Sequence, residues 1–294
     1  MIFRRSLRYF CLLCILFVTT SSCEKFSGDQ TIPAYLSIDS IYLSTDYYLH
    51  GTSSQRITDA WVYVDDEFLG VYELPSRLPV LKSGKHKLRI WPGIKKNGIA
   101  ATRVGYEFYN PITREVDFVP DSTTRTGVLG TTYQTTTIFV WKEDFEDVAQ
   151  SLDTTSGSTA YIQRTSAGSA LTFEGSHSGM VVLDSLHDYF ECQTHTEYSI
   201  PFAAVFLEMD FNTSNPLTVG LFTYGTTLLY QTPVVTLNPT NGQWKKIYID
   251  LTTTLNAYNG MSSYRVYFRA LKDTGLNQSR ILFDNFKVVT RKSK

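Results

Sequence analysis

The sequence predicts an all-β protein built of two β-sandwich domains, on three observations. Aromatic residues reach 14% while charged residues make up only 19%, a balance that favours strands over solvent-bathed helices. Hydrophobic alternation runs at a period of two, with no heptad and no long 3.6-residue run. From residue 141 onward, clusters of Ser, Thr, Gly and Asn return at short intervals, as turns do between the strands of a sandwich. About 270 residues remain after the leader, enough for two β-domains that each bury a core.

Residues 1–22 read as that leader. Arg4, Arg5 and Arg8 precede an apolar run from Tyr9 to Val18, and Thr19, Thr20, Ser21 and Ser22 follow. An apolar core of about ten residues is too short to cross a bilayer, which needs roughly 20. Ser21-Ser22-Cys23 resembles the bacterial lipobox, with Thr20 where Leu is usual. The resemblance implies that Cys23 is lipidated as the new N-terminus and that residues 23–33 form a tether. Cys11 and Cys14 leave with the leader, so only Cys23 and Cys192 remain. Those two could pair. The polar stretch EKFSGDQTIP after Cys23 favours the tether, and Cys192 then reads as a small semi-buried thiol without a partner. Each methylene placed in the bilayer contributes about 0.8 kcal/mol, so several acyl chains anchor firmly where one does not.

In the first domain, residues 34–140, alternation is strongest at AWVYVDDEFLGVYELP. Trp61 and Tyr63 fall on one face and Val62 and Val64 on the other, with Asp65-Asp66 as a hairpin turn. After Gly84, Lys85, Lys87 and Arg89 point outward against His86, Leu88 and Ile90, and Asn97-Gly98 is a further turn signal. Val62, Tyr63, Val64, Asp65, Leu69, Gly70, Gly84 and His86 follow the order of PEGA-like, transthyretin-like envelope modules, although Glu73-Leu74-Pro75 stands in place of the Pro-Glu-Gly-Ala core. The segment WPGIKKNGIAATRVGYEFYNP is similar to stretches of Bacteroidetes-type surface lipoproteins. These resemblances imply an envelope location more than a reaction.

In the second domain, residues 141–294, four pieces in order resemble carbohydrate-binding-module jelly rolls of the galactose-binding type: WKEDFED, GSHSGMVVL, GQWKKIYIDL and RILFDNFKVV. In the third, Trp244, Ile247, Ile249 and Leu251 mark an inward face, and Lys246 and Tyr248 a solvated one. The family resemblance implies a structural calcium held by Glu146 and Asp284, since a hard cation gathers oxygens from separate segments; no other cofactor is implied.

Catalytic signals are weak. GSHSG, Gly175 to Gly179, has the glycines of a nucleophile elbow but His177 at its centre and no helix to follow, so it reads as a turn into a Met180–Leu183 strand. His177, His187 and His195 lack zinc-site spacing and read as exposed loop histidines. Glu143, Asp144, Glu146 and Asp147 crowd one stretch, whereas a glycosidase needs acids facing each other across a cleft. Tyr224, Tyr230, Tyr258 and Tyr264 could cover a pyranose face, but 19 tyrosines make most of them packing residues.

Three of the 27 basic residues leave with the leader, so 24 face 28 acidic ones and the net charge is −4, which carries no nucleic-acid footprint. The sequence therefore predicts no enzyme. Its main expectation is a lipid-anchored accessory subunit of an outer-membrane complex, with a β-barrel protein or other envelope lipoproteins as partners and contact with the membrane through acyl chains. The alternative is a glycan-binding surface lipoprotein. Glu24-Lys25 partly resembles the export signal of Bacteroidetes-type cells, which places the expected location at the outer membrane, facing the cell surface.

Overall fold

The computed structural model describes residues 32–292; the leader, Cys23 and most of the tether lie outside them. The N-terminal domain consists of β1 (Ala34–Ile38), β2 (Ser40–Leu43), the helical turn α1 (Tyr47–His50), β3 (Asp59–Val64), β4 (Glu67–Glu73), β5 (Ser76–Val80), β6 (Gly84–Lys95), β7 (Arg103–Gly105), β8 (Ile112–Phe118), β9 (Thr123–Arg125) and β10 (Val128–Thr131). β4, β3, β6 and β7 form one sheet, with β8 along β6, and it faces the smaller β5-β1-β9 and β10-β2 sheets. Leu36, Val62, Val64, Leu78, Leu88, Ile90 and Phe118 fill the space between. The alternation behaves as the sequence predicts: Val62 and Val64 are buried, Trp61 and Tyr63 half-buried. Asp65 and Asp66 both take positive φ, 53° and 65°, the primed geometry that matches strand twist. Asp65 also holds the next hairpin, accepting from the Lys87 N–H at 3.0 Å and meeting His86 Nδ1 at 2.6 Å.

The C-terminal domain consists of β11 (Thr137–Glu143), β12 (Leu152–Thr154), β13 (Gln163–Arg164), β14 (Gly179–Leu183), β15 (Tyr189–Thr194), β16 (Tyr198–Ser199), β17 (Phe206–Thr213), β18 (Leu217–Gly225), β19 (Leu229–Leu237), β20 (Lys245–Asp250), α2 (Thr252–Leu255), β21 (Met261–Leu271) and β22 (Ser279–Arg291). A back sheet runs β13-β14-β22-β17-β20 with β11 on β22, and a front sheet runs β12-β15-β21-β18-β19 with β16 on β21. Leu207, Met209, Val219, Leu221, Val266, Phe268, Phe283 and Phe286 pack between them. β11 pairs with β22 from Thr137 onward.

The two domains share a buried seam, and here the expectation for β20 is corrected. Ile247, Ile249 and Leu251 do face the core, but Trp244 stands at its edge against Phe173, 5.1 Å between rings. Lys246 and Tyr248 are not solvated: they are 8% and 1% exposed because the N-terminal domain covers the outer face of the back sheet. Strand alternation tells which residues share a face, but not whether water or another domain lies beyond it. Glu208 accepts from Tyr106 Oη at 2.7 Å and Tyr133 Oη at 2.8 Å, and Tyr109 Oη meets Tyr248 Oη at 3.1 Å. Lys287 Nζ donates to the Thr52 carbonyl at 2.7 Å. The Asn97-Gly98 turn latches onto β20, with the Asn97 N–H on the Tyr248 carbonyl and Asn97 Oδ1 taking the Asp250 N–H, both at 2.8 Å.

Candidate functional site

With the back sheet covered, the front sheet is the jelly roll's open face. Register places its outward side chains in rows: Arg265 beside Phe222 and Gln231, Tyr267 between Gln193 and Gly220, and Arg269 between Glu191 and Thr218. Each alternates with a core residue, such as Val266 and Phe268 on β21 or Val219 and Leu221 on β18. The tyrosine ring of Tyr267 lies over Gly220, where a methyl group would overlap it; the missing Cβ is what lets an aromatic lie flat on the sheet. Phe222 leans on that ring at 5.0 Å and 49°, and the Arg269 guanidinium stands 5.8 Å from its centroid, a cation–π arrangement.

Glu191 organises the polar side of the face. It accepts from Tyr189 Oη at 3.0 Å, Thr155 Oγ1 at 3.0 Å and Gln231 Nε2 at 2.7 Å. Gln231 lies on β19, three strands from β15. Neighbouring strands are about 4.8 Å apart, so the sheet must curl for these side chains to meet, and the face is concave. Tyr267 itself is fully buried beneath the neighbouring side chains, and two buried polar atoms there, Arg265 Nε and Tyr267 Oη, have no hydrogen-bond partner. Burial raises the phenol pKa of Tyr189, Tyr224 and Tyr267, so all three present neutral hydroxyls. An open recess of about 390 Å³ adjoins Tyr189, Thr218, Arg269 and Leu271. Rings, guanidinium groups, a carboxylate and amides on one curved sheet can cover the apolar face of a sugar and hydrogen-bond its hydroxyls.

Of the four tyrosines named from sequence, only Tyr224 lies on this face. Tyr264 points into the core and is fully buried. Tyr230 and Tyr258 stack on each other at 4.2 Å and 7°, so each ring occupies the other's face. Phe222, Tyr267, Arg265, Arg269, Glu191 and Gln231 were not singled out. The signal was present in MSSYRVYFRAL, where Ser263, Arg265, Tyr267 and Arg269 alternate with Tyr264, Val266, Phe268 and Ala270.

Glu146 and Asp284 reach the same turn from two sides. Glu146 Oε1 accepts the N–H groups of Ser176 and His177 at 2.8 and 2.9 Å. Asp284 Oδ2 accepts from Ser178 Oγ at 2.5 Å and the Glu174 N–H at 3.3 Å, and desolvation raises its pKa to about 7. Each carboxylate thus takes donors rather than offering oxygens to a common ion. Among the described residues no three His, Cys, Asp or Glu side chains converge as a metal site, and this donor set does not fit calcium's six to eight oxygens.

The GSHSG segment is a turn into β14, with His177 Nδ1 on the Thr165 carbonyl at 2.7 Å. His187 pairs with Asp184 and His195 with Asp153, so the three histidines stay apart. Glu143 accepts from the Phe145 and Ser151 N–H groups, and Asp144 from Tyr47 Oη and the Glu146 N–H. Cys192 is fully buried rather than semi-buried, with no disulfide among the described residues, and desolvation raises its thiol pKa far enough to keep it protonated. Cys23 lies outside the described residues, and among those residues no helix is long and apolar enough to cross a membrane.

No family model matches the chain, and no curated protein matches it. Solved structures do. The xylan-binding CBM22-2 domain of Xyn10C from Paenibacillus barcinonensis is similar over 52% of this chain and 99% of its own, at 17% identity and a TM-score of 0.36. The family 11 carbohydrate-binding module of the cellulase Lic26A-Cel5E from Clostridium thermocellum is similar over 54% and 96%, at 13% identity and a TM-score of 0.33. A module of the β-sandwich superfamily described as promiscuous in specificity covers 78% of this chain and 84% of its own, at 11% identity and a TM-score of 0.36. Scores this low carry no argument about ligand or site.

Proposed function

We propose that this protein is a non-catalytic glycan-binding lipoprotein, held at the outer membrane by acyl chains on Cys23 and receiving sugar chains on the outer face of its front sheet. The observation that carries the reading is the row of part-exposed rings and polar side chains, Tyr189, Phe222, Tyr224, Arg265, Arg269 and Gln231, on the one sheet face the N-terminal domain leaves open. The Arg265 and Arg269 guanidinium groups and the Gln231 amide are donors that sugar hydroxyls can accept from. Hydroxyls can also replace the Gln231 amide on Glu191, so the polar contact already spanning the face exchanges for one of the same kind. The aromatic rings supply the apolar half of the contact.

Affinity gel electrophoresis against neutral polysaccharides tests this. One or more should retard the protein, and Phe222→Ala and Arg269→Ala should each abolish most of the retardation while melting near the wild-type temperature. Migration unaffected by every polysaccharide would refute the reading. Mass spectrometry of the cell-derived N-terminus checks the anchor separately: the account expects an acylated Cys23. No feature of the fold favours the accessory-subunit expectation over this one.

A further inference from the structure

The domain seam leaves a second recess, away from the front face, of about 570 Å³. That lies within the range of about 300–1,000 Å³ common for small-ligand sites. It opens where the edge strands of the two sheets, β19 and β20, part company, and the Asn97-Gly98 turn of the other domain roofs it. Phe211, Val235 and Ile247 make an apolar floor, while Asn97 and Asn238 bring amides to the rim. Four cations line it, Arg56, Lys95, Lys245 and Lys246, and no Asp or Glu among the described residues does.

The state of those cations decides what fits. Lys95 is paired with Glu73 at 3.1 Å and Lys246 lies 3.5 Å from Asp210. Arg56 and Lys245 form no ion pair with any described residue, leaving two uncompensated positive charges at one recess. Lys246, with its side chain 3% exposed, is compensated by Asp210 and by Glu208 at 3.9 Å. An apolar floor with amides and uncompensated cations matches a ring that has one apolar face, several hydroxyls and one carboxylate. A guanidinium binds a carboxylate in a bidentate, charge-assisted way that a neutral sugar cannot offer.

We propose that this seam recess is a second carbohydrate site, specific for a hexuronic acid residue, with Arg56 and Lys245 taking the carboxylate and Asn97 and Asn238 the hydroxyls. The choice of a sugar rests on the proposed function; the choice of an acid rests on the recess alone. Because both domains build it, the site exists only while they are docked.

Isothermal titration of the purified protein with a galacturonate trisaccharide and with its fully methyl-esterified, neutral form tests the assignment. The acid should bind and the ester should bind at least about tenfold more weakly, the discrimination expected for a charge-assisted hydrogen bond. Arg56→Gln and Lys245→Gln, both at rim positions, should each weaken the acid by a similar factor without shifting the melting temperature. Arg269→Ala, on the front face, should leave it unchanged. Equal binding of acid and ester, indifference to both rim substitutions, or no binding of the acid would overturn the proposal. So would inorganic sulfate binding as tightly as the uronide, which would make the recess an anion site without a sugar. Loss of neutral-polysaccharide retardation with retained, Arg56-dependent uronide binding would refute the front-face reading and leave this one standing.

Discussion

Glu208 is fully buried between the domains, and its two oxygens take the hydroxyls of Tyr106 and Tyr133 while Lys246 lies 3.9 Å away. Removing one member of such a network leaves the others desolvated and unmatched. Glu208→Ala should therefore lower stability by about 3 kcal/mol in urea titration, and Glu208→Gln, which keeps acceptor and shape, by less. Lys287 gives the seam a pH signature. Desolvation lowers its pKa to about 7 from an ordinary 10.5, so between those values the unfolded chain binds more protons and stability rises with pH. Asp284 acts in the opposite sense: its pKa is raised to about 7 from an ordinary 3.8, so the folded chain holds a proton the unfolded one has released, and stability falls as pH climbs across that window. The two contributions together predict a dip in the urea midpoint near neutrality. Lys287→Met should flatten its alkaline limb and Asp284→Asn its acid limb; a midpoint indifferent to both substitutions would contradict the assignment.

Strands and turns were readable in the sequence where local chemistry alone sets them. The Asp65-Asp66 hairpin, the inward Leu88 and Ile90 of β6, and the turn before β14 all follow from periodicity and from residues that tolerate positive φ. The role of Asn97-Gly98 was not readable, because a hairpin turn signal says nothing of what the turn touches. Both residues have positive φ, 56° and 71°, and a Cβ on Gly98 would meet Ile247 Cδ1 at 3.2 Å. Replacing the pair with Ala-Ala should cost about 2 kcal/mol and weaken the latch onto β20. The open sheet face was half readable: β21 alternates aromatic and cationic residues with core residues in plain view, but which of its faces is open depends on where the other domain docks. The turn gripped by Glu146 and Asp284 gives a further test. Since both carboxylates already hold hydrogen-bond donors, calcium or a chelator should move the melting temperature by less than about 1 °C.

Across the chain, the covered back sheet and the open front sheet belong to one arrangement. The N-terminal domain buries Phe206, Tyr248 and Val289 of the jelly roll in its own core cluster, so the two sandwiches should melt together. Scanning calorimetry should show one transition whose calorimetric and van't Hoff enthalpies agree; two separated transitions would mean that the seam contributes little. That docking leaves the curled face of Phe222, Tyr224 and Arg269, laid over the buried Tyr267 ring, as the open face of the jelly roll. Affinity electrophoresis of wild-type and Phe222→Ala protein side by side, over a panel of neutral polysaccharides, decides between this account and its absence. Retardation of the wild type that disappears in the variant is the expected result; equal migration of the two in every gel would contradict it.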